Sequence, residues 1–92
     1  MKQDQAEAIS LQALAYLLGQ DDLTGAFLSA SGVQPGEMRE RASDPHFLGA
    51  VLDFLLQDDA WVLGFAQAAG LAPQDVQSAR AALPGGQVPH WT

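Results

Sequence analysis

The chain contains Gly-aliphatic-x-Pro twice, in SGVQPGEM at 31–38 and in AGLAPQDV at 69–76, each time directly after an apolar run with helical spacing. This repeated phrase limits the fold more than any other feature. Glycine reaches φ > 0 at little cost, so Gly32 and Gly70 suit the position just past the end of a helix. Proline has no N–H to satisfy and a fixed φ, so Pro35 and Pro73 suit the first position of the next helix. The aliphatic residue between, Val33 or Leu71, is placed to fold back on the helix it leaves in a Schellman arrangement. It is also placed to staple against Met38 or Val76 in the helix it enters. Glu37 and Asp75 fall at the third helical position, near the positive end of the helix dipole. Gln34 and Ala72 are weak N-caps, so tertiary packing is expected to hold these turns.

The runs before the glycines have one apolar face each: Leu23, Ala26, Phe27 and Ala30 in the first, Val62, Phe65, Ala66 and Ala69 in the second. The likeness extends upstream, where LQALAYLLGQDD at 11–22 matches LGAVLDFLLQDD at 48–59. The shift grows by one residue near Ala60. Two helix–helix–helix units result, with helices expected at 5–18, 22–31, 35–42, 45–56, 59–69 and 73–83. In each unit a QDD element punctuates the first connection, and Asp21 or Asp22, and Asp58 or Asp59, are N-cap candidates. With two copies this is an internal duplication within one domain and not a solenoid. The fourth helix opens on Asp44 as N-cap and Pro45 at N1. Its run FLGAVLDFLL is apolar on almost every side, so it is expected at the hub, with Phe47, Val51, Phe54 and Leu55 in the core. The fold expected is therefore all-α. It is a compact bundle of five to six short helices, pseudo-duplicated three-helix units around a central apolar helix. That domain spans 1–83, with an irregular or disordered tail at 84–92, where PGGQVPHWT has no periodicity.

Composition removes several function classes. The chain has 92 residues, enough for a single modest core. It has no cysteine, hence no disulfide framework, thiolate nucleophile or cysteine-based zinc site. The opening MKQDQAEAIS lacks the apolar segment of a secretory signal, and the longest apolar runs fall short of a bilayer span. A cytoplasmic location is the expectation. Eleven acidic residues against four basic ones give a net charge of −7. Such a chain repels phosphate backbones and anionic lipid surfaces.

No motif assembles chemistry, so no catalytic residue, cofactor, metal or small-molecule ligand is expected. The Asp21-Asp22 and Asp58-Asp59 pairs are adjacent and do not face one another on a helix; capping explains them. His46 lies in a helix first turn beside Asp44, and neither it nor His90 has a second ligand at metal spacing. No serine sits in a nucleophile elbow. The Gly32 and Gly70 turns have the rhythm of a helix-turn-helix. Yet the would-be recognition segments, PGEMRERA and PQDVQSAR, carry acidic residues where phosphate contacts belong. Apolar residues beyond what a small core covers mark protein contacts. Tyr16, Leu56 and Trp61 are the candidates for such a patch, with Trp91 in the tail. A protein-interaction or adaptor role, with another protein or by self-association, is the leading reading; the alternative is a transcription-associated helix-turn-helix protein.

The pattern D-P-x-F-L-x-x-V-L-D-F-L-L, from Asp44 to Leu56, followed by G-L-x-P and A-R-x-x-L between Gly70 and Leu83, resembles the family catalogued as domain of unknown function 3572. The resemblance covers roughly 9–83. It implies a compact helical bacterial protein of the cytoplasm and brings no activity, ligand or catalytic residue with it.

Overall fold

Apolar periodicity and caps set the helices. The computed structural model describes residues 1–84. Helix α1 runs over Gln3–Leu18 and α2 over Asp21–Ser31. A 3-10 turn, Pro35–Glu37, leads into the single-turn α3, Met38–Arg41. Helices α4, α5 and α6 come next, at Pro45–Leu55, Asp59–Ala69 and Pro73–Ala82. The described residues hold no strand, and the six helices form an all-α bundle. Residues 85–92, and with them Trp91 and nearly all of the expected tail, lie outside the described residues.

Both glycines reverse the backbone hand, Gly32 at φ 72° and Gly70 at φ 71°. The second turn is a Schellman motif: the Leu71 N–H donates to the Ala66 carbonyl at 2.8 Å and the Gly70 N–H to that of Gln67 at 3.4 Å. The first turn differs from that expectation. The Gly32 N–H donates to the Leu28 carbonyl at 3.0 Å, while the Val33 N–H turns to the Ser31 hydroxyl at 3.2 Å. A serine at the helix end competes for the N–H that would otherwise close the larger ring, and Ala69 in the second copy cannot. The entering helices are held by their own third residues. Glu37 accepts from the Gln34 N–H at 3.2 Å and Asp75 from the Ala72 N–H at 3.0 Å. Local carboxylates, half of a capping box, thus join the packing of Val33 and Leu71 against the core in holding these turns.

The two units diverge in detail. The expected helix at 35–42 breaks into two short pieces, since Gly36 in its first turn raises the entropic cost of a helix already too short to nucleate well. Helix α5 begins on the expected cap: Asp58 Oδ1 accepts from the Ala60 N–H at 2.8 Å. Helix α2 begins on Gln20, with no side-chain cap, and Asp21 and Asp22 lie inside its first turn. The extra residue of the second copy sits in the α4–α5 connection, 56–58, upstream of its expected place near Ala60.

The core is built as expected around Phe47, Val51, Phe54 and Leu55, with Leu48 and Leu52 also buried. Phe27 meets Phe47 and Phe54 edge-on, at centroid distances of 5.8 and 5.4 Å. Helix α4 is not the sole hub, however. Helix α1 packs on α2, α4, α5 and α6 and buries Ala6, Ser10, Ala13, Leu14 and Leu17. At sixteen residues it is the longest helix among those described. The buried Ser10 hydroxyl donates to the Ala6 carbonyl at 2.7 Å, which satisfies it. Helix α2 is rotated from the expected face: Leu23 and Phe27 are buried, Leu28 is half-buried, and Ala26 and Ala30 are exposed. The Thr24 hydroxyl donates to the Leu17 carbonyl at 2.8 Å and pins that edge of α2 to α1. The larger side chains then take the dry positions, which favours burial of more apolar area.

Helix α6 is locked to α4 by Arg80. Its guanidinium forks onto the Asp53 carboxylate, with Nη2 to Oδ2 at 2.9 Å, and Nη1 donates to the Pro84 carbonyl at 3.1 Å. Gly49 makes this crossing possible, since a Cβ there would lie 2.8 Å from Arg80 Nη1. No helix of the described residues is long and apolar enough to cross a membrane.

Candidate functional site

The outward side of α1 is the least ordinary surface of the molecule. From Ala8 to Gln20 the chain runs thirteen residues without a charge. Ser10, Ala13, Leu14 and Leu17 point into the core, while Ala8, Leu11, Ala15 and Leu18 are exposed. These four recur at steps of three, four and three, so they form one row along the helix. Leu11 and Leu18 are 45% and 44% exposed. Single exposed leucines are normal on a protein surface; a row of apolar positions where a surface helix carries its charges is not.

Tyr16 borders this row. It is half-buried and lies across α5, its ring 5.7 Å from that of Phe65. A Cβ on Gly64 would come within 2.6 Å of the Tyr16 hydroxyl oxygen, so glycine is what lets the ring settle there. An open groove of about 540 Å³ runs between α1 and α5, over Gln12, Ala15, Tyr16 and Ala68. At Tyr16 it meets a second hollow of about 450 Å³, bounded by Trp61, Gln20, Asp21 and Asp22. Trp61 is half-buried and stacks on Phe54 with centroids 4.8 Å apart. Asp21 and Asp22 are exposed, and neither enters an ion pair among the described residues. The groove thus has an aromatic wall and a negative end.

Of the four sequence candidates, the structure brings Tyr16 and Trp61 together in the second hollow. Leu56 lies apart, half-buried, in a hollow shared with Leu63 and Pro73 between α5 and α6. Trp91 lies outside the described residues. Leu11, Ala15, Leu18 and Gly64 went unnoticed in the sequence. The signal that would have found the first three is the uncharged run itself, since a helix with so weak a polar face belongs inside something.

Helix α6 presents Gln74, Gln77 and Ser78 outward. Asp75 is half-buried and turned back to the Ala72 N–H. The cation on α6 is also unavailable, because Arg80 is held by Asp53. Near α3, the side-chain hydrogen bond from Arg41, helped by the Gln34 N–H, keeps the Glu37 carboxyl below its ordinary pKa. His46 is exposed in the first turn of α4, and its backbone N–H donates to Asp44 Oδ1 at 2.9 Å. Among the described residues no three His, Asp or Glu gather to hold a metal.

These features define a class: a small acidic helical bundle whose longest described helix keeps an apolar row, Ala8 to Leu18, in solvent. The profile of the family described as "Protein of unknown function (DUF3572)" matches residues 3–86, which takes in every helix described above. The chain belongs to that family. Neither a curated protein nor a solved structure matches it. The motifs that carried the resemblance acquire physical roles here. Asp44 and Pro45 start α4, its aliphatic and aromatic residues fill the core, and Asp53 receives the arginine of A-R-x-x-L.

Proposed function

We propose that this protein acts as a protein-contact module of the bacterial cytoplasm, binding through α1 and without catalysis. The observation that carries this reading is the exposed row Ala8, Leu11, Ala15 and Leu18 beside the Tyr16 groove. Burying such a row against a partner removes apolar area from water at about 25 cal/mol per Å². Site-specific photocross-linking in the cell of origin tests it. A benzophenone amino acid at Ala15 should yield a discrete covalent adduct, and the same group at Ser78 on α6 should not. Absence of an adduct from position 15 in cells refutes this reading.

The outward neutral face of α6 after the Gly70 turn supports a second reading, a helix-turn-helix contact with nucleic acid. Retention on heparin or random DNA that falls steeply with salt would establish it. With seven net negative charges and Arg80 engaged, no retention is the expected result.

A further inference from the structure

If α1 is a contact surface, as proposed above, its shape and charge also specify the chemistry of the partner. Resting on that reading, we infer that α1 and its groove receive an amphipathic α-helix that carries lysine or arginine at the end lying against Asp21 and Asp22.

The helical form of the partner is dictated by the surface. The described residues offer no strand edge to extend, so main-chain pairing with an extended peptide has no template. The row from Ala8 to Leu18 covers eleven residues, ten steps of about 1.5 Å, or about 15 Å of helix. That is the length over which a docked helix sets anchors at i, i+3, i+4 and i+7. Ala8 and Ala15 alternate with Leu11 and Leu18, so a second helix can come close over the alanines with the leucines as walls. Small residues at the contact favour the short end of the usual 8–10 Å interaxial range.

The charge of the partner is dictated by one end of the row. At the C-terminal end, Asp21 and Asp22 face a hollow whose other walls are Tyr16 and Trp61. Carboxylates beside aromatic faces attract a cation by charge and by the ring quadrupole. At the N-terminal end Asp4 and Glu7 are accompanied by Lys2. Arg39 lines a separate hollow with Leu14, Leu18 and Leu28, so one cation also borders the C-terminal residue of the row, in a hollow that Tyr16 does not line. The hollow of Asp21 and Asp22 beside Tyr16 and Trp61, rather than a difference in net charge between the ends, therefore sets where the cation of the incoming helix lies. A second copy of this chain is a poorer occupant, because each copy carries a net −7 and the two would repel.

The test uses the full chain and two synthetic peptides of about eighteen residues, five helical turns. One presents leucine and alanine on one face and lysine elsewhere; the other replaces every lysine with glutamate. Amide shifts of isotope-labelled protein locate binding, and titrations at low and high salt measure it. The lysine peptide should shift Ala15, Tyr16, Leu18 and Trp61 and leave Ser78 unmoved. The glutamate peptide should bind at least about tenfold more weakly, and Asp21→Asn with Asp22→Asn should weaken the lysine peptide about threefold or more. Ala15→Arg, an exposed substitution that leaves the fold intact, should abolish the α1 shifts.

If both peptides bind α1 equally, the inferred cation preference is wrong while the contact reading stands. The same holds if light scattering reveals a dimer that Ala15→Arg dissolves, for then the occupant is a second copy. Lysine-peptide shifts scattered over the acidic surface and not on α1, or no shifts at all, also overturn the inference. In either case the cross-linking at Ala15 still decides the contact reading separately.

Discussion

Gly49→Ala should change sign with its background. Gly49 is buried inside α4, where replacing glycine by alanine normally stabilises a helix by about 0.5–1 kcal/mol. Here the new Cβ would sit 2.8 Å from Arg80 Nη1 and 3.1 Å from Cζ. The guanidinium would have to retreat by about 0.6 Å to reach an ordinary contact of 3.4 Å. It is not free to do so, since Asp53 holds it on one side and the Pro84 carbonyl on the other. Asp53 is 53% exposed, so its share of the pair is worth no more than about 1 kcal/mol after screening. The hydrogen bond from the largely buried guanidinium to Pro84 adds about 1.5 kcal/mol. Losing part of both outweighs the helix-propensity gain, and Gly49→Ala should destabilise the natural chain by about 0.5–1.5 kcal/mol. Arg80→Met keeps the aliphatic stem and ends where the guanidinium begins. In that background Gly49→Ala should stabilise by the full ~0.5–1 kcal/mol. Urea unfolding followed by far-ultraviolet circular dichroism gives all four corners of the cycle, with an expected coupling of about 1–2.5 kcal/mol. Equal effects of Gly49→Ala in both backgrounds, within about 0.5 kcal/mol, would refute the reasoning.

Other substitutions probe the turns, the caps and the surface. Gly70→Val forces a β-branched residue to φ 71° and should cost more than about 1 kcal/mol in urea unfolding, while Gly70→Asn should cost less, because asparagine tolerates this region. Asp58→Ala removes a cap bond and should cost about 1 kcal/mol. Asp22→Ala removes none and should stay within about 0.5 kcal/mol in the same measurement. Leu11→Glu, on the exposed side of α1, should leave the urea midpoint within that same narrow band, about ±0.5 kcal/mol. The Glu37 carboxyl, with its pKa lowered chiefly by Arg41, stabilises the folded state above the ordinary carboxylate pKa. That contribution fades as pH falls through the lowered value. Carboxyl titration by NMR should put Glu37 below the range of unpaired glutamates, and Arg41→Met should raise it.

Much of the architecture was legible in the residue order because its causes are local. Gly32, Gly70, Pro35 and Pro73 act through their own φ preferences, and Asp44 and Pro45 open α4 without help from distant residues. The face of α5 could be read because Val62, Phe65 and Ala66 leave no competing stripe. The face of α2 was misjudged because its alanines are indifferent to burial, and a hydroxyl on Thr24 reaching the Leu17 carbonyl settled the rotation. The Schellman closure expected after α2 failed for a similarly small reason, the hydroxyl of Ser31. Tyr16 and Trp61 were picked out as large, partly uncovered aromatics; that they share a hollow depends on Gly64, whose missing Cβ no periodicity argument would have flagged.

By itself, then, the order of residues determined where the backbone reverses hand and where each helix restarts, because those events depend on one or two dihedral angles and a neighbouring carboxylate. It also determined that the chain would be helical and acidic, since propensity and charge are carried residue by residue. Only the tertiary structure decided that α1 shares the centre with α4, that Arg80 crosses Gly49 to reach Asp53, and that the uncharged row of α1 remains in solvent beside Tyr16 and Trp61. Those outcomes depend on which surfaces meet across tens of residues, and many rotations of an apolar helix bury nearly the same area. Shape at single positions, a glycine under a guanidinium or beneath a phenol ring, selects among them.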